Sequence, residues 1–342
     1  MRLLVPDRLA RAPRLAAGCR VLVGSVLALA ALAGCSGDAN DADAEPDGSV
    51  AASFTGTPAE VTVTEMSSGP VGVAAVDGEP WVALPEDGAV RTANDTMVDV
   101  GGTPLRLLAA GGGVWVTDIG RGRLVRIDAG TGRVTRRTTL APAGSEPEGL
   151  ASDGDAVWVV DQANNRVIPV DPRTGRQGKA SAVGVGPRLT ASGPGGVWVA
   201  NFVGGSLSRV ATDGEVTDQP LETCLSPQGV VEAAGVVWVT CTAEDRVLGL
   251  DADTLERVAT FDGLDGADAL AADGDRVYAV GQAGPTVWTI DTAKQEVVSR
   301  LTLDEAGPTT ENVGAAVTDD GLAVTHPEVR RLYEVPQALL GE

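Results

Sequence analysis

From about residue 60 onward, apolar residues fall in short runs separated by Gly, Pro and Asp pairs, and the runs lack the three-to-four spacing of a helix face. One stretch shows the unit. Gly149-Leu-Ala-Ser152 reads as a short first strand and Asp153-Gly154 as a hairpin turn. Ala156-Val-Trp-Val-Val160 is a second strand made of strong β-formers. Asp161 to Arg166 reads as a loop, Val167-Ile-Pro-Val170 as a third strand and Asp171-Pro-Arg-Thr-Gly175 as a turn. A fourth, more polar strand is expected to run to about Val183.

The unit recurs. A Pro followed eleven residues later by an aromatic appears as Pro70/Trp81, Pro104/Trp115, Pro147/Trp158, Pro187/Trp198 and Pro227/Trp238. Ala267/Tyr278 is a sixth copy and Asn312/Ala323 a weaker seventh. The Val-Trp-Val runs and Gly/Pro punctuation exclude helical repeats of similar period. Seven copies of a four-stranded unit predict an all-β, seven-bladed β-propeller. The seventh unit stops after its third strand, Arg331-Leu-Tyr-Glu-Val335, while Glu60-Val-Thr-Val-Thr-Glu65 precedes the first unit without a partner. The N-terminal strand is therefore expected to complete the last blade and close the ring, leaving no open edge.

Composition narrows the class. At 342 residues and 43% hydrophobic, the chain can bury a large core. Aromatics make up only 3%, but five of the six Trp hold one repeated strand position, where they are expected to pack between blades. The remaining one, Trp288, falls in a third strand and reads as core too. A net charge of −21 repels phosphate backbones, so no nucleic-acid partner is expected. One His and four Cys leave no material for zinc-finger arrays, and WD40 repeats lack their Gly-His partners. The turns at Asp77-Gly78 and Asp153-Gly-Asp155 lack the longer liganding run of a calcium loop and read as hairpins.

Residues 1–34 have a different character. Five Arg precede the apolar run Val21–Ala33, which is too short for a comfortable membrane span and suits a signal-peptide core. The run ends in Leu32-Ala33-Gly34-Cys35, which resembles the lipobox of bacterial lipoproteins. The resemblance implies cleavage before Cys35, acylation of its thiol, and a membrane partner held through that lipid on the extracytoplasmic face of the cell membrane. Losing five Arg and Asp7 with this segment moves the net charge from −21 to −25. Residues 35–58 read as a disordered acidic tether and 59–342 as the propeller. Cys19 leaves with the signal, and Cys224 and Cys241 are expected to pair in an oxidising compartment.

Candidate ligand contacts follow from the repeat. Residues after each repeat Pro should face the mouth of the central channel, and blades 3 to 6 place Glu148, Arg188, Gln228 and Asp268 there. Blades 7, 1 and 2 place Val313, Val71 and Leu105, so a polar arc faces an apolar one and suits an amphipathic ligand or peptide. Residues three past the aromatic include Asp118, Asp161, Asn201 and His326, where an Asx-turn competes with a ligand role.

Trp115-Val-Thr-Asp118, Trp198-Val-Ala-Asn201 and Trp238-Val-Thr-Cys241 resemble the YVTN repeat of seven-bladed propellers. Pro147-Glu-Gly-Leu150 with Val157-Trp-Val159 also resembles the repeat of streptogramin lyases. The first resemblance implies the fold and not an activity. The rigid ring, the polar arc and the lack of a catalytic constellation give the expectation of a non-enzymatic binding or scaffold module for a protein, peptide or small ligand, with no cofactor, no metal and no catalytic residue. The second implies an alternative, lyase chemistry by a His with acidic neighbours and a divalent ion. His326, in Thr325-His-Pro-Glu328, is the sole His, and it lacks an acidic residue two positions before it.

Overall fold

Seven antiparallel four-stranded sheets stand around a central channel, one for each repeat of the sequence. The computed structural model describes residues 56–305, 307, 309 and 312–341. The expected signal peptide of residues 1–34, the expected acylation site Cys35 and the expected tether up to residue 55 lie outside the described residues.

Blade 3 shows how the sequence forms a sheet. Its strands are Pro147–Ser152, Val157–Asp161, Arg166–Val170 and Ser181–Ala182, hydrogen-bonded in that order. Two details depart from the sequence reading. The loop after the second strand is a 3-10 turn, Gln162–Asn164, closed by Asn165 in the left-handed region. The fourth strand is only two residues long, because Gln177 bridges back to Val170 and redirects the chain first.

The blades are held by their side faces. Buried apolar clusters fill each joint between neighbours, and in six of them the repeated aromatic of one blade packs against the next. Trp115, Trp238 and Tyr278 are fully buried, and Trp288 joins the core between blades 5 and 6. At the joint between blades 7 and 1 the aromatic position holds Ala323, and Met66 lies in that cluster with Val73, Val82 and Leu332.

The ring closes as expected. Thr62–Glu65 pairs antiparallel with Arg331–Pro336, Val63 opposite Tyr333, and completes the last blade. Arg331 Nε donates to Glu65 Oε1 at 2.8 Å across this pairing. Arg331 also pairs with Asp304, which accepts the Tyr333 hydroxyl at 2.8 Å.

Cys224 and Cys241 form a disulfide with their Cα atoms 5.1 Å apart, both side chains fully buried. Cys241 stands opposite Pro227 at the mouth end of blade 5, so the loop before Pro227 folds back to bring Cys224 across. The bridge spans a separation of 17 residues. Cys224→Ala with Cys241→Ala is expected to cost about 3 kcal/mol, since a loop of this length loses that much of its unfolded-state constraint. Urea unfolding of the oxidised chain and the double variant measures it; equal midpoints and slopes would show the bridge to be without effect.

Candidate functional site

In blades 2 to 6 the first strand enters the sheet through a β-bulge, and that bulge shapes the channel mouth. In blade 2 the ladder runs from Pro104 opposite Asp118 directly to Leu107 opposite Val116. Leu105 and Arg106 therefore share the space opposite Thr117, whose Oγ1 accepts the Arg106 N–H at 3.0 Å. Blade 5 repeats the device, with the Gly229 N–H donating to Thr240 Oγ1 at 2.7 Å. The bulge turns two successive residues toward the axis instead of one. Two residues past the repeat position stand Gly72, Gly149, Gly229 and Gly314, and a Cβ on Gly229 would run into the Asp268 carbonyl of the neighbouring strand.

The mouth opens into a cavity of about 590 Å³ lined by Val71, Leu105, Glu148, Arg188, Asn312 and Glu328 among others. A second cavity, about 120 Å³, lies within the ring of first strands and includes Arg106 and Val313. Glu148, buried, sits 3.5 Å from Arg188 Nη1 and accepts from Asn312 Nδ2 at 3.1 Å, a bond from blade 7 to blade 3. The Arg188 guanidinium stacks over the Phe202 ring, 4.8 Å from its centroid. Asp268, buried, accepts the Val313 N–H at 3.0 Å. Gln228 is buried between these blades with both amide atoms unpartnered.

Burial sets the electrostatics. It pushes the Asp268 carboxyl up to about 7, against the pull of Arg106 and the Val313 N–H. Burial also raises Glu148, opposed by Arg188 and Arg106. Arg106 is lowered by burial, with Glu148 and Asp268 acting to restore it.

The second column of candidates is used differently. Asp118 is fully buried, pairs with Arg123 Nε at 2.6 Å and accepts the Thr103 N–H. Asp161 repeats this with Arg166 and the Glu146 N–H. Asn201 donates to Ser206, Ser208 and Asp218 of its own blade. These side chains staple the loop preceding the repeat Pro, or the outer strand, to the second strand. The sequence carries a signal for it in Arg123 and Arg166, eight residues past the repeat's aromatic position. Arg246 and Arg331 hold the same place but face Cys241 and His326, and pair with Asp262 and with Glu65 and Asp304 instead. In blade 4 that place is Ser206, and the residue facing it is Asn in place of Asp.

His326 ends the second strand of blade 7 and is fully buried. Neither ring nitrogen meets a partner in hydrogen-bonding geometry. Burial lowers its pKa, opposed by the Gln282 carbonyl, Glu328 and Asp304. His326 belongs to no cluster of three His, Cys, Asp or Glu ligand atoms among the described residues. Among the described residues, the three-ligand cluster able to hold a metal is Cys224, Cys241 and Glu244, in which the two sulfurs are already bonded to each other.

Sequence reasoning missed Arg106. The signal was one column further on, where a single Arg stands among Gly72, Gly149, Leu189, Gly229, Ala269 and Gly314.

No protein-family model matches the chain, and no curated protein matches it in sequence. Solved structures match in fold. A streptogramin B lyase superposes with a TM-score of 0.68 at 17% identity, covering 80% of this chain and 96% of the other. A catalytically inactive histidine-to-alanine variant of virginiamycin B lyase from Staphylococcus aureus, with quinupristin, gives 0.67 at 15% over 80% and 98%. Hydrazine synthase from Kuenenia stuttgartiensis gives 0.68 at 15% over 84% and 99%. At such identities the likeness establishes the seven-bladed fold alone.

Proposed function

We propose that this chain is a lipid-anchored, extracytoplasmic propeller that binds a protein segment, peptide or small molecule at the mouth of its channel. The observation that carries the reading is the mouth cavity, where Glu148 and Arg188 are buried or half-buried with Glu148 Oε2 and Arg188 Nε left without partners. Buried polar atoms are normally satisfied, so such a ring suits a ligand that brings its own donors and acceptors. The apolar wall of Val71 and Leu105 gives that ligand an unlike second face. The Leu-Ala-Gly-Cys35 motif supports the anchor, and the Cys224–Cys241 bridge supports an oxidising compartment.

The fold likeness to streptogramin B lyases raises a second reading, cleavage of a cyclic depsipeptide through His326. General acid–base catalysis needs a titrating group within reach of the substrate. The buried ring of His326, lowered in pKa and outside the mouth lining, favours binding over turnover.

Both parts can be tested on membranes carrying the full chain. Cys35→Ser is expected to move the protein from the detergent to the aqueous phase on phase partitioning. Glu148→Gln with Arg188→Gln is expected to reduce, at least tenfold, the material co-purifying with the chain by mass spectrometry, with thermal unfolding confirming that the variant folds. Unchanged co-purifying material would remove the mouth from consideration. Turnover of quinupristin by the wild type that is lost in His326→Ala would establish the lyase reading instead.

A further inference from the structure

We propose that the channel beneath the mouth takes the carboxylate of a monoanionic ligand, anchored by the guanidinium of Arg106. This assignment rests on the mouth being the ligand site and names the chemistry that enters it.

Arg106 is only 7% exposed and comes from the second position of the blade 2 bulge, the column where four blades hold Gly. Its Nη1 donates to the Val313 carbonyl across the ring at 3.1 Å. Its Nε and Nη2 have no partner. Those two nitrogens share one edge of the planar guanidinium, and their N–H bonds run parallel, the spacing that matches the two oxygens of a carboxylate. The acids nearby are engaged elsewhere: Glu148 with Arg188 and Asn312, Asp268 with the Val313 N–H. Among the described residues none forms an ion pair with Arg106.

The surroundings select the class of anion. Glu148 and Asp268 both act electrostatically on Arg106, so a dianion would meet more repulsion there than a monoanion. That favours a carboxylate over a phosphate. Gln228, 1% exposed with Nε2 and Oε1 both unpartnered, lies in the same ring between Arg188 and Asp268. A primary amide with a free donor and a free acceptor complements a secondary amide or peptide group. The ligand chemistry is thus a carboxylate with an amide near it, on a body whose apolar part meets Val71 and Leu105.

The smallest probe with these features is N-acetylglycine, and N-acetylglycinamide is its uncharged counterpart. Saturation-transfer NMR on the detergent-solubilised full chain is expected to show binding of the acid and at least tenfold weaker binding of the amide. Arg106→Gln removes the preference. Arg106→Lys, which keeps the charge and loses the fork, weakens the acid at least tenfold. Should Arg106→Gln fail to fold, Gln228→Glu leaves Arg106 in place and is expected to exclude the acid by like charge. Equal binding of acid and amide, acid binding that survives Arg106→Gln, or inorganic phosphate binding more tightly than N-acetylglycine through Arg106 would overturn the assignment. If Glu148→Gln with Arg188→Gln strips the co-purifying material while the probes show no preference, the mouth reading stands and the Arg106 anchor falls. Preference for the acid with unchanged co-purifying material would instead place the site on the channel floor and overturn the mouth reading.

Discussion

Deleting residues 61–66 from the full chain is expected to lower the unfolding midpoint by about 10 °C, from a loss of about 4 kcal/mol. The segment stands between two joints of the ring. Val61 is buried in the cluster between blades 6 and 7, beside Tyr333 and Leu303, and Met66 in the cluster between blades 7 and 1. Each buried side chain of this size contributes about 2 kcal/mol when taken out of water. The strand between them covers the outer edge of blade 7, and its loss frees Arg331 from Glu65. An exposed edge also offers unpaired backbone groups to other chains, so the deletion variant is expected to aggregate at concentrations where the parent does not. Met66→Ala separates filling from pairing. It leaves the ladder intact but empties the place beside Ala323, where six other joints have Trp or Tyr, and should cost about 2 kcal/mol, half of the loss on deletion. Thermal melts and light scattering read both variants. A deletion that melts within two or three degrees of the parent would mean that the ring does not depend on this strand.

Ala323 also shows how far the sequence could be read. The blade count was legible because every unit must bury two side faces, which forces one large side chain per blade at a fixed distance from the turn. The weak seventh copy was legible only as a weak copy, since the residue that fills its joint comes from Met66, far away in sequence. Closure could be inferred from two incomplete ends, and the disulfide from two thiols flanking one hairpin. The mouth was half legible. Counting one residue past each repeat Pro found Glu148, Arg188, Gln228 and Asp268, yet the bulge that turns a second residue inward leaves no mark in a hydrophobicity pattern. Arg106 was hidden for that reason. Asp118 and Asp161 carried the opposite ambiguity, because a buried carboxylate that staples its own loop and one that meets a ligand have the same place in the repeat.

Asp268→Asn is expected to make the protein more stable at pH 8 than the parent, relative to the same comparison at pH 5, by about 3 kcal/mol. The native carboxyl titrates at about 7, raised by burial from its ordinary 3.8. Between those values the folded chain holds a proton that the unfolded chain has released, so stability falls as pH rises from about 4 through about 7 and levels off above it. The groups that act on Asp268 are Arg106, Glu148 and Arg188 together with the Val313 N–H. Glu148, raised by burial too, adds loss in the same direction. His326 opposes it, because a buried neutral ring disfavours the folded state while the unfolded chain can bind a proton, below about 6.5. Both contributions are common to the parent and the variant, so the difference between their stability curves isolates Asp268. Asn keeps an oxygen to accept from Val313 and cannot ionise. Urea unfolding at half-unit steps from pH 4 to 9 gives the difference curve. A slope confined to the interval between about 4 and 7 confirms that the channel holds a carboxyl at the edge of ionisation, whereas a flat curve would mean that water reaches Asp268 and keeps it an ordinary acid. The same slope bears on ligand entry: as Asp268 ionises, the channel loses net positive charge around Arg106, and an incoming carboxylate meets more repulsion.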